Sequence, residues 1–522
     1  MQNFNLYAAL RAGFPADLDS VAIETADSGP LYYTWGDLER ASARIANLLE
    51  FLEIPPQSRI AVQVDKSVEN LILYLAVLRA GHVYLPLNNA YQSAEIEYFI
   101  GNAEPAVVVC SPKSFGWISK IAFQAGTRHV FTLGDDRTGT LLERAAGHSD
   151  DHAVVPRAAD DLAAILYTSG TTGRSKGAML THRNLLSNAQ VLQRYWGWRS
   201  PAEGGDVLIH ALPIFHVHGL FVASHGALIN GSKMIWFSRF DPKATIARLP
   251  EATVFMGVPT LYVRMLAEAG LTPAACANMR LFISGSAPLL TETFKAWQDR
   301  TGHTILERYG MSETVMLTSN PYRAEDGPRV GGTVGHALPG VGLRVQGQDG
   351  AECPAGEIGG IEVRGPNVFT GYWRMPEKTK EEFTEDGWFK TGDVGVKDET
   401  GRVTIVGRSK DLIISGGYNV YPAEIEGVIN DMAGIEESAV VGVPHPDFGE
   451  AVVAVVIPKA GSSVQPESII SALKSRIANF KVPKRVFVQN ELPRNAMGKV
   501  QKNLLRQAHQ GLFAPVAAAP AR

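Results

Sequence analysis

The sequence has few cysteines and no long apolar run. Its three cysteines, Cys110, Cys276 and Cys353, lie far apart and are odd in number, so they form neither a disulfide framework nor a Cys-based zinc site. The longest helical apolar run, LILYLAVL at 71–78, is far shorter than the ~20 residues that a membrane span requires. The first segment, MQNFNLYAAL, has neither the basic nor the apolar region of a secretory signal. These absences predict a cytoplasmic protein.

An excess of charge of either sign is also absent. The 49 Lys and Arg side chains nearly balance 53 Asp and Glu, which gives a net charge of −4. This balance argues against a nucleic-acid binder, because such proteins concentrate basic residues on their surface. Charged residues make up 20% of the chain and hydrophobic ones 45%, which is typical of a globular protein and not of a disordered one. Glycine is abundant, with 51 residues, which indicates many sharp turns or close approaches to a ligand.

The order of apolar patterns predicts an α/β fold. Short apolar runs such as RIAVQV (59–64) and AAILYT (163–168) alternate with helical patterns such as the one at 68–80. This alternation is typical of mostly parallel sheets covered by helices. From about residue 330 the pattern changes to short strands and turns, and VGVKDETGRVTIVGR (394–408) predicts a hairpin.

Two domains and a tail are predicted from these patterns. At about 150 residues per domain, 522 residues correspond to roughly three to four units. We expect a large N-terminal domain at 1–407, which includes a β-rich subdomain, and a small mobile α+β domain at 408–510. Within the small domain, Pro422 and Pro466 can each begin a helix. The low-complexity end, 511–522, is expected to be a disordered tail.

The motif YTSGTTGRSKG at 167–177 follows an apolar strand and carries the strongest functional signal. Its glycines allow the backbone amides to turn toward an anion, its hydroxyl groups can donate to phosphate oxygens, and Lys176 adds a positive charge. The glycine and hydroxyl residues concerned are Gly170, Gly173, Gly177, Thr168, Ser169, Thr171 and Thr172. The pattern G-x-x-x-x-G-K-[ST] of a Walker loop does not fit this segment. A flexible Ser/Gly turn is the alternative.

This motif resembles the phosphate-binding loop of the adenylate-forming superfamily, which includes acyl-CoA synthetases, luciferases and the adenylation domains of peptide synthetases. Further motifs of that family follow in order: YGMSET (309–314), KTGDVG (390–395), GRSKDLIISGGYNVYPAEIE (407–426) and PRNAMGKVQK (493–502). The resemblance therefore covers nearly the whole chain. It implies an AMP-forming acid–CoA ligase, in which ATP activates a carboxylate as an acyl-adenylate and coenzyme A then takes the acyl group.

The resemblance assigns residues to ATP and to Mg²⁺, whose charge offsets the repulsion between carboxylate and phosphates. Glu313, a hard oxygen ligand, is expected to hold Mg²⁺ together with Thr168. Asp393 is expected to accept hydrogen bonds from both ribose hydroxyls, and Arg408 to contact ribose or phosphate. Adenine is expected to stack on Tyr309, although an aromatic ring here could equally belong to the core. The remaining expected nucleotide contacts are Gly285, Ser286, Ala287, Arg308, Gly310, Met311 and Ser312.

The resemblance also gives the small domain a part in each half-reaction. Lys499 is expected to catalyse adenylation, since an ammonium ion can reach both the substrate carboxylate and the α-phosphate. Lys410 matches the hinge about which the small domain swings once adenylation is complete. The swing is expected to present Ser415, Gly416 and Gly417 as the wall of a pantetheine tunnel and to contact the cofactor there. A surface lysine and a Gly-Gly turn without a ligand are the alternatives.

The segment PIFHVHGL at 213–220 resembles the family loop that borders the substrate carboxylate. His216 is the expected contact with the acid, whereas His218 could be a buried structural histidine. Met311 is expected to close the pocket behind a short acid, so it would limit branching of the substrate.

Two arginines lie beside segments that line the acyl pocket in relatives. A pocket for fatty or aromatic acids would be apolar, whereas the guanidinium groups of Arg239 and Arg308 could each grip a second carboxylate. Either arginine could instead be a salt-bridged surface residue. Together with PIFHVHGL, RFDP and ERYGMSET, the arginines resemble the malonyl-CoA synthetase branch of the family. That resemblance implies the reaction malonate + ATP + CoA → malonyl-CoA + AMP + PPi.

Other interpretations of the sequence remain open. The enzyme could activate methylmalonate, oxalate or acetate instead of malonate, or it could load an acyl group onto a carrier protein. A nucleotide-binding regulator without activity is a third interpretation, although binding alone would not require Lys499. No nucleic acid, membrane span or obligate protein partner is expected.

Overall fold

The computed structural model describes residues 3–26, 29–168, 175–415, 418–495 and 498–513. The chain forms two compact units. The first comprises the chain up to Leu289 together with Thr293–Gly342 and Val363–Phe389. The second comprises Leu290–Glu292, Leu343–Glu362 and the chain from Lys390 onward.

Strands and helices alternate through most of the first unit. The strands are β1 (Val21–Thr25), β2 (Tyr32–Thr34), β3 (Arg59–Gln63), β4 (Val83–Pro86), β5 (Val107–Cys110), β6 (His129–Thr132), β7 (Leu162–Thr168), β8 (Lys176–Thr181), β9 (Val207–His210), β10 (Lys233–Trp236), β11 (Val254–Gly257), β12 (Leu281–Ser284), β13 (Leu306–Met311), β14 (Val315–Ser319), β15 (His336–Ala337), β16 (Gly342–Gln346), β17 (Ile358–Arg364), β18 (Phe389–Lys397), β19 (Val403–Arg408), β20 (Ile413–Ser415), β21 (Tyr418–Val420), β22 (Ile435–His445), β23 (Gly449–Pro458) and β24 (Arg485–Val488). The helices are α1 (Leu6–Ala12), α2 (Trp35–Phe51), α3 (Val68–Arg79), α4 (Ser93–Ala103), α5 (Phe115–Gln124), α6 (Thr140–Ala145), α7 (His182–Tyr195), α8 (His225–Asn230), α9 (Pro242–Arg248), α10 (Pro259–Leu266), α11 (Thr291–Thr301), α12 (Pro376–Glu382), α13 (Pro422–Asn430), α14 (Pro466–Lys474) and α15 (Lys502–His509).

The first unit contains a six-stranded sheet in the order β6-β5-β3-β4-β7-β8. Neighbouring strands are parallel except β7 and β8, which form an antiparallel hairpin. Helix α3 is buried along its whole length, because most of its residues are apolar. The elements predicted at 59–64, 68–80 and 163–168 are confirmed by β3, α3 and β7.

The second sheet of this unit has the order β15-β14-β13-β12-β11-β9-β10-β1-β2. Its strands from β13 to β1 are parallel, and β14, β15 and β2 join at the edges in antiparallel orientation. The predicted class, mostly parallel sheets covered by helices, is confirmed. Sequence patterns did not predict β1, β10 or β13. These are short runs whose strand conformation depends on pairing with neighbours rather than on local alternation.

The second unit holds a four-stranded sheet in the order β16-β17-β18-β19 and a separate five-stranded sheet. In the latter, β21, β20, β23 and β22 are antiparallel, and β24 pairs in parallel with β23. The predicted hairpin at 394–408 is confirmed by β18 and β19. The helices predicted to begin at Pro422 and Pro466 are confirmed by α13 and α14, so this part is the expected α+β domain.

The second unit includes Leu343–Glu362, which the sequence patterns assigned to the large domain. The predicted division at residue 408 concerns a movement of the small domain, so it stays a prediction. Of the expected tail, Leu512 and Phe513 pack against an apolar cluster of β22 and β23. Residues 514–522, on which the rest of that prediction falls, lie outside the described residues.

Two of the cysteines are buried in the first unit. Cys110 ends β5, and burial raises the pKa of its thiol to about 12. Cys276 belongs to the apolar cluster around Phe255 and Trp297, and burial raises the pKa of its thiol to about 11. Within the described ranges, none of the helices combines the length and the apolar character that crossing a lipid bilayer demands.

Candidate active site

The β7–β8 hairpin flanks the predicted phosphate-binding loop. Thr168 ends β7 and pairs with Lys176, the first residue of β8. The Thr168 hydroxyl donates to the Lys176 carbonyl at 3.4 Å, so it lies at the mouth of the loop. A side chain at Gly177 would meet a methyl group of Ile165 at 2.9 Å, which explains why glycine stands at this position of the hairpin. The predicted loop residues outside the described ranges are Ser169, Gly170, Thr171, Thr172 and Gly173.

A chain of contacts leads from this hairpin to the predicted metal ligand. The Lys176 ammonium lies 3.2 Å from Oε1 of Glu382 and 4.3 Å from the centroid of the Tyr372 ring. The Tyr372 hydroxyl donates to Oε1 of Glu313 at 3.0 Å. Glu313 is 5% exposed, and its carboxylate is a hard oxygen donor. Sequence reasoning missed Tyr372, because no motif connects this residue to the loop or to Glu313.

The YGMSET motif forms the tight turn between β13 and β14. The Thr314 amide donates to the Met311 carbonyl at 3.2 Å, and the Met311 amide donates to the Thr314 hydroxyl at 3.3 Å. Ser312 and Glu313 lie inside this turn. The turn is therefore closed on itself, and it fixes the position from which the Glu313 side chain projects.

Glycine is required at the start of this turn. A Cβ at Gly310 would lie 1.8 Å from the carbonyl oxygen of Val315, which no side chain can tolerate. Val315 itself has a φ of +55°, an unusual value for a β-branched residue. Backbone strain of this kind persists only where the surrounding structure enforces it, and it is frequent at functional sites.

The predicted adenine wall comes from two neighbouring strands. Gly285, Ser286 and Ala287 directly follow the carboxyl end of β12. Tyr309 lies on β13, which pairs in parallel with β12. Its side chain is half-buried rather than part of the core, so one side of the ring remains accessible to a base.

Arg308 is a buried cation. Its side chain is 3% exposed, and its Nε and Nη2 atoms have no hydrogen-bond partner among the described residues. Burial lowers the pKa of its guanidinium to about 9, which reflects the cost of keeping this charge away from water. A Cβ at Gly285 would lie 2.4 Å from Nη1, so the glycine makes room for this side chain. Buried polar groups rarely go without partners, and a cation in this state indicates a place for an anion.

His218 belongs to the same region. It is buried and begins the π-helical segment His218–Ser224, a conformation frequent at functional sites. Its Nδ1 lies 3.3 Å from the Ser286 hydroxyl, and its Nε2 has no partner among the described residues. Burial holds the pKa of His218 well below its usual range, and the charge of Arg308 lowers it further. The ring is therefore neutral at physiological pH, and its open Nε2 makes it a candidate acid contact beside the predicted His216, which is half-buried.

Arg239, in contrast, is exposed. It lines a cavity of about 450 Å³ whose wall includes Phe215 and Arg264. Among the described residues that form this wall, neither Arg308 nor His218 occurs. The structure thus gives different surroundings to the two arginines that the sequence offered for the same carboxylate.

The second unit holds the residues predicted to bind ribose. Asp393 on β18 pairs with Arg408 at the end of β19, and Oδ1 of Asp393 lies 2.7 Å from Nε of Arg408. Asp393 is buried, and its amide donates to the Thr391 hydroxyl at 3.1 Å, whereas Arg408 is half-exposed. The hairpin therefore brings together the two residues for which the same ligand was expected. Lys410, the predicted hinge, is exposed in the 3₁₀ turn Ser409–Asp411.

The predicted pantetheine contacts lie between β20 and β21. Ser415 is buried at the end of β20, opposite Tyr418 of β21. Gly416 and Gly417, which connect these strands, lie outside the described residues. The pantetheine tunnel therefore stays a prediction.

Lys499 is exposed in a short hairpin that Arg494 and Val500 bridge. Its amide donates to Oδ1 of Asn495 at 3.0 Å, and its carbonyl accepts from the Asn495 amide at 2.9 Å. Gly498 closes the turn with a φ of +74°, in the left-handed region that favours glycine. The backbone beside Lys499 is thus held firmly, while its side chain extends from the surface of the second unit.

Two family models match the chain. One, described as AMP-binding enzyme, matches residues 16–373. The other, described as AMP-binding enzyme C-terminal domain, matches residues 424–499. The two matches together include the phosphate loop, the YGMSET turn and Lys499.

Curated relatives differ in the acid that their names give. A malonate–CoA ligase of Arabidopsis thaliana is 34% identical over 483 residues, covering 86% of this chain and 78% of the relative. The mitochondrial malonate–CoA ligase of Bos taurus is 34% identical over 499 residues, covering 87% of this chain and 82% of the relative. A feruloyl-CoA synthase of a Streptomyces species is also 34% identical, over 481 residues, covering 91% of this chain and 93% of the relative. Overall identity to these relatives does not separate the acids.

Among solved structures, ATP-bound MatB from Rhodopseudomonas palustris is 53% identical, with a TM-score of 0.93, and the match covers 98% of this chain and 100% of that one. The same protein without ligand matches with a TM-score of 0.83 at the same coverage. These similarities confirm the resemblance that the sequence motifs indicated. Because the first family model spans more than half of its residues, the chain belongs to the family of AMP-binding enzymes.

Proposed function

We propose that the protein is an AMP-forming malonate–CoA ligase, which converts malonate, ATP and coenzyme A into malonyl-CoA, AMP and pyrophosphate through malonyl-adenylate. The observation that carries the choice of acid is the buried Arg308 guanidinium, whose Nε and Nη2 have no partner among the described residues. A dicarboxylate retains one carboxylate after the other is activated, and that group can pair bidentately with an arginine. An acid with an apolar tail would leave the cation buried and unpaired, which is strongly unfavourable.

The similarity to two malonate–CoA ligases supports this acid, and the match to ATP-bound MatB supports ATP as a substrate. The feruloyl-CoA synthase at equal identity shows why the pocket has to decide. Of the two arginines, we assign the distal carboxylate to Arg308, because Arg239 is exposed and already accessible to water. His216 and His218 would border the carboxylate that reacts, and Met311 would limit its branching.

For the nucleotide, we propose that the phosphates bind at the loop after Thr168 and that Tyr309 takes the adenine. Asp393 and Arg408 would hold the ribose. Mg²⁺ would bind at Glu313 with the Thr168 hydroxyl. Among the described residues, no group of three or more His, Cys, Asp or Glu side chains could hold a metal ion by itself. This suits Mg²⁺, which keeps waters and takes substrate phosphates alongside one or two carboxylates.

We infer two uses of the small domain, with a boundary near residue 408 and Lys410 as its hinge. Lys499 would serve adenylation, and the turn after Ser415 would serve thioester formation. The two steps need different groups because a lysine that stabilises the first transition state would obstruct the incoming thiol. The cytoplasmic location predicted from the sequence remains a prediction.

The test is pyrophosphate release with MgATP and coenzyme A for malonate, methylmalonate, succinate, oxalate, acetate and butyrate. We expect malonate to give the highest kcat/KM, with methylmalonate second. If acetate or butyrate leads, the assignment of a dicarboxylate is wrong, although the chemistry of the family stands. Equal pyrophosphate release with and without coenzyme A, and no thioester product, would instead indicate an enzyme that loads another acceptor such as a carrier protein.

A further inference from the structure

A lysine outside the residues assigned so far links the two sheets of the first unit. Lys66 follows β3 of the six-stranded sheet, yet its ammonium reaches the carboxyl ends of β9 and β10 in the nine-stranded sheet. Nζ donates to the carbonyl of His210 at 2.8 Å, to that of Phe237 at 2.7 Å and to Nδ1 of His210 at 3.0 Å. It also lies 4.3 Å from the centroid of the Trp236 ring. Each of its three N–H groups thus has an acceptor.

This contact determines the state of the His210 ring. An ammonium group cannot accept a hydrogen bond, so Nδ1 of His210 must be the acceptor and Nε2 must carry the proton. Burial and the neighbouring charge of Lys66 hold the pKa of His210 well below its usual range. The ring is 1% exposed and stacks on Trp236 at 4.4 Å between centroids. It is therefore a neutral imidazole with one tautomer.

The protonated nitrogen of His210 faces the loop that contains His216. Nε2 lies 3.0 Å from the Gly219 carbonyl, and the Ser224 hydroxyl donates to the same carbonyl at 2.9 Å. A Cβ at Gly219 would lie 2.1 Å from the Pro213 carbonyl, so the two ends of the loop are in close contact. Fixing Gly219 therefore fixes the whole turn from Pro213 onward.

We propose that Lys66 and His210 are positioning residues for the loop 213–219. Lys66 selects the tautomer of His210, and His210 holds the Gly219 carbonyl, so that His216 and His218 face the carboxylate of the acid. The proposal rests on the proposed function, because it assigns this loop to the acid. It predicts that both residues act through the loop and affect binding of the acid and not of ATP.

The test compares KM for malonate with KM for ATP in variants of the two residues. In Lys66→Met we expect the malonate KM to rise about tenfold or more and the ATP KM to change less than about twofold. His210→Gln can retain an N–H near the position of Nε2, so it should be closer to the wild type than His210→Asn, whose amide reaches only the position of Nδ1. The double variant Lys66→Met/His210→Asn should be no worse than the weaker single variant, since both act on one contact.

Lys243→Met is the matched control, because this lysine of the same unit has a side chain that is 79% exposed. It should leave both KM values unchanged. Lys66→Arg, which keeps the donors, should restore part of the malonate KM. Parallel increases in both KM values, or strictly additive effects of Lys66 and His210, would show that the pair is merely structural and would overturn the proposal.

The wild-type acid series separates this result from the proposed function. If another acid leads there, malonate is the wrong substrate, and the variants are then compared on that acid with the same expectations. An unchanged acid KM in Lys66→Met, in a protein that remains folded by circular dichroism, would reject the positioning role whichever acid is used.

Discussion

The hydroxyl of Tyr372 lies 3.0 Å from Oε1 of Glu313, and the ring of the same tyrosine faces the Lys176 ammonium at 4.3 Å. One side chain thus touches both the flank of the phosphate loop and the proposed metal ligand. The hydrogen bond restricts the rotation of the Glu313 carboxylate and leaves its other oxygen to face the ligand. Outer contacts of this kind orient a metal ligand and raise its affinity.

Replacing Tyr372 by phenylalanine keeps the ring against Lys176 and removes the bond to Glu313. We expect the Mg²⁺ concentration for half-maximal pyrophosphate release to rise about tenfold, in the range usual for such contacts. The measurement is a Mg²⁺ titration at saturating ATP and malonate. Tyr32→Phe is the control, since Tyr32 is 57% exposed. An unchanged Mg²⁺ requirement in Tyr372→Phe would separate Glu313 from the metal.

Replacing Arg308 by methionine should stabilise the acid-free protein while it damages the enzyme. The buried guanidinium has unsatisfied N–H groups, and its removal relieves a desolvation cost that no partner offsets. We expect a higher Tm without substrate, a malonate KM raised about tenfold to a hundredfold, and loss of the stabilisation that malonate gives the wild type. Arg239→Met, at an exposed position, should not raise the Tm. A lower Tm in Arg308→Met would show that the arginine is structural.

Glu307 makes the stability of the first unit depend on pH. It is 6% exposed, and burial raises the pKa of its carboxyl from 4.5 to about 8, although the Gly332 amide donates to it at 2.9 Å. Between pH 4.5 and 8 the folded state therefore holds a proton that the unfolded state has released. Stability must fall as the pH rises through this window, by up to about 1.4 kcal/mol per pH unit, and level off above it.

Glu307→Gln should abolish this dependence, because the amide can still accept from Gly332 but cannot ionise. Urea unfolding of both proteins at pH 5, 6, 7 and 8 measures the difference. We expect the variant to gain on the wild type at each step. Parallel stability profiles would mean that Glu307 ionises normally in the folded protein.

Lys499→Ala should separate the half-reactions. We expect pyrophosphate release to fall about a thousandfold, in line with the loss of a group that stabilises developing charge. Thioester formation from supplied malonyl-adenylate should stay within a few-fold of the wild type. Lys474→Ala, at another exposed lysine of the second unit, is the control. Equal loss of both half-reactions would remove Lys499 from its proposed role in adenylation.

The fold and the order of the family motifs could be predicted from the sequence because both depend on local patterns. The apolar runs that became β3, β7 and α3 are continuous in the chain, and burial on both faces of a parallel strand requires just such runs. The strands β1, β10 and β13 could not be predicted in this way, since their conformation depends on partners far along the chain.

The sequence by itself determined the motifs, the family they indicate and most of the elements that contain them. Tertiary structure alone decided which side chains are buried and with what partners: that Tyr372 bonds Glu313, that Arg308 is buried while Arg239 is exposed, and that Lys66 reaches His210. The reason is physical. A residue's type is a local property, whereas its desolvation and its hydrogen bonds depend on segments that meet only when the sheets pack.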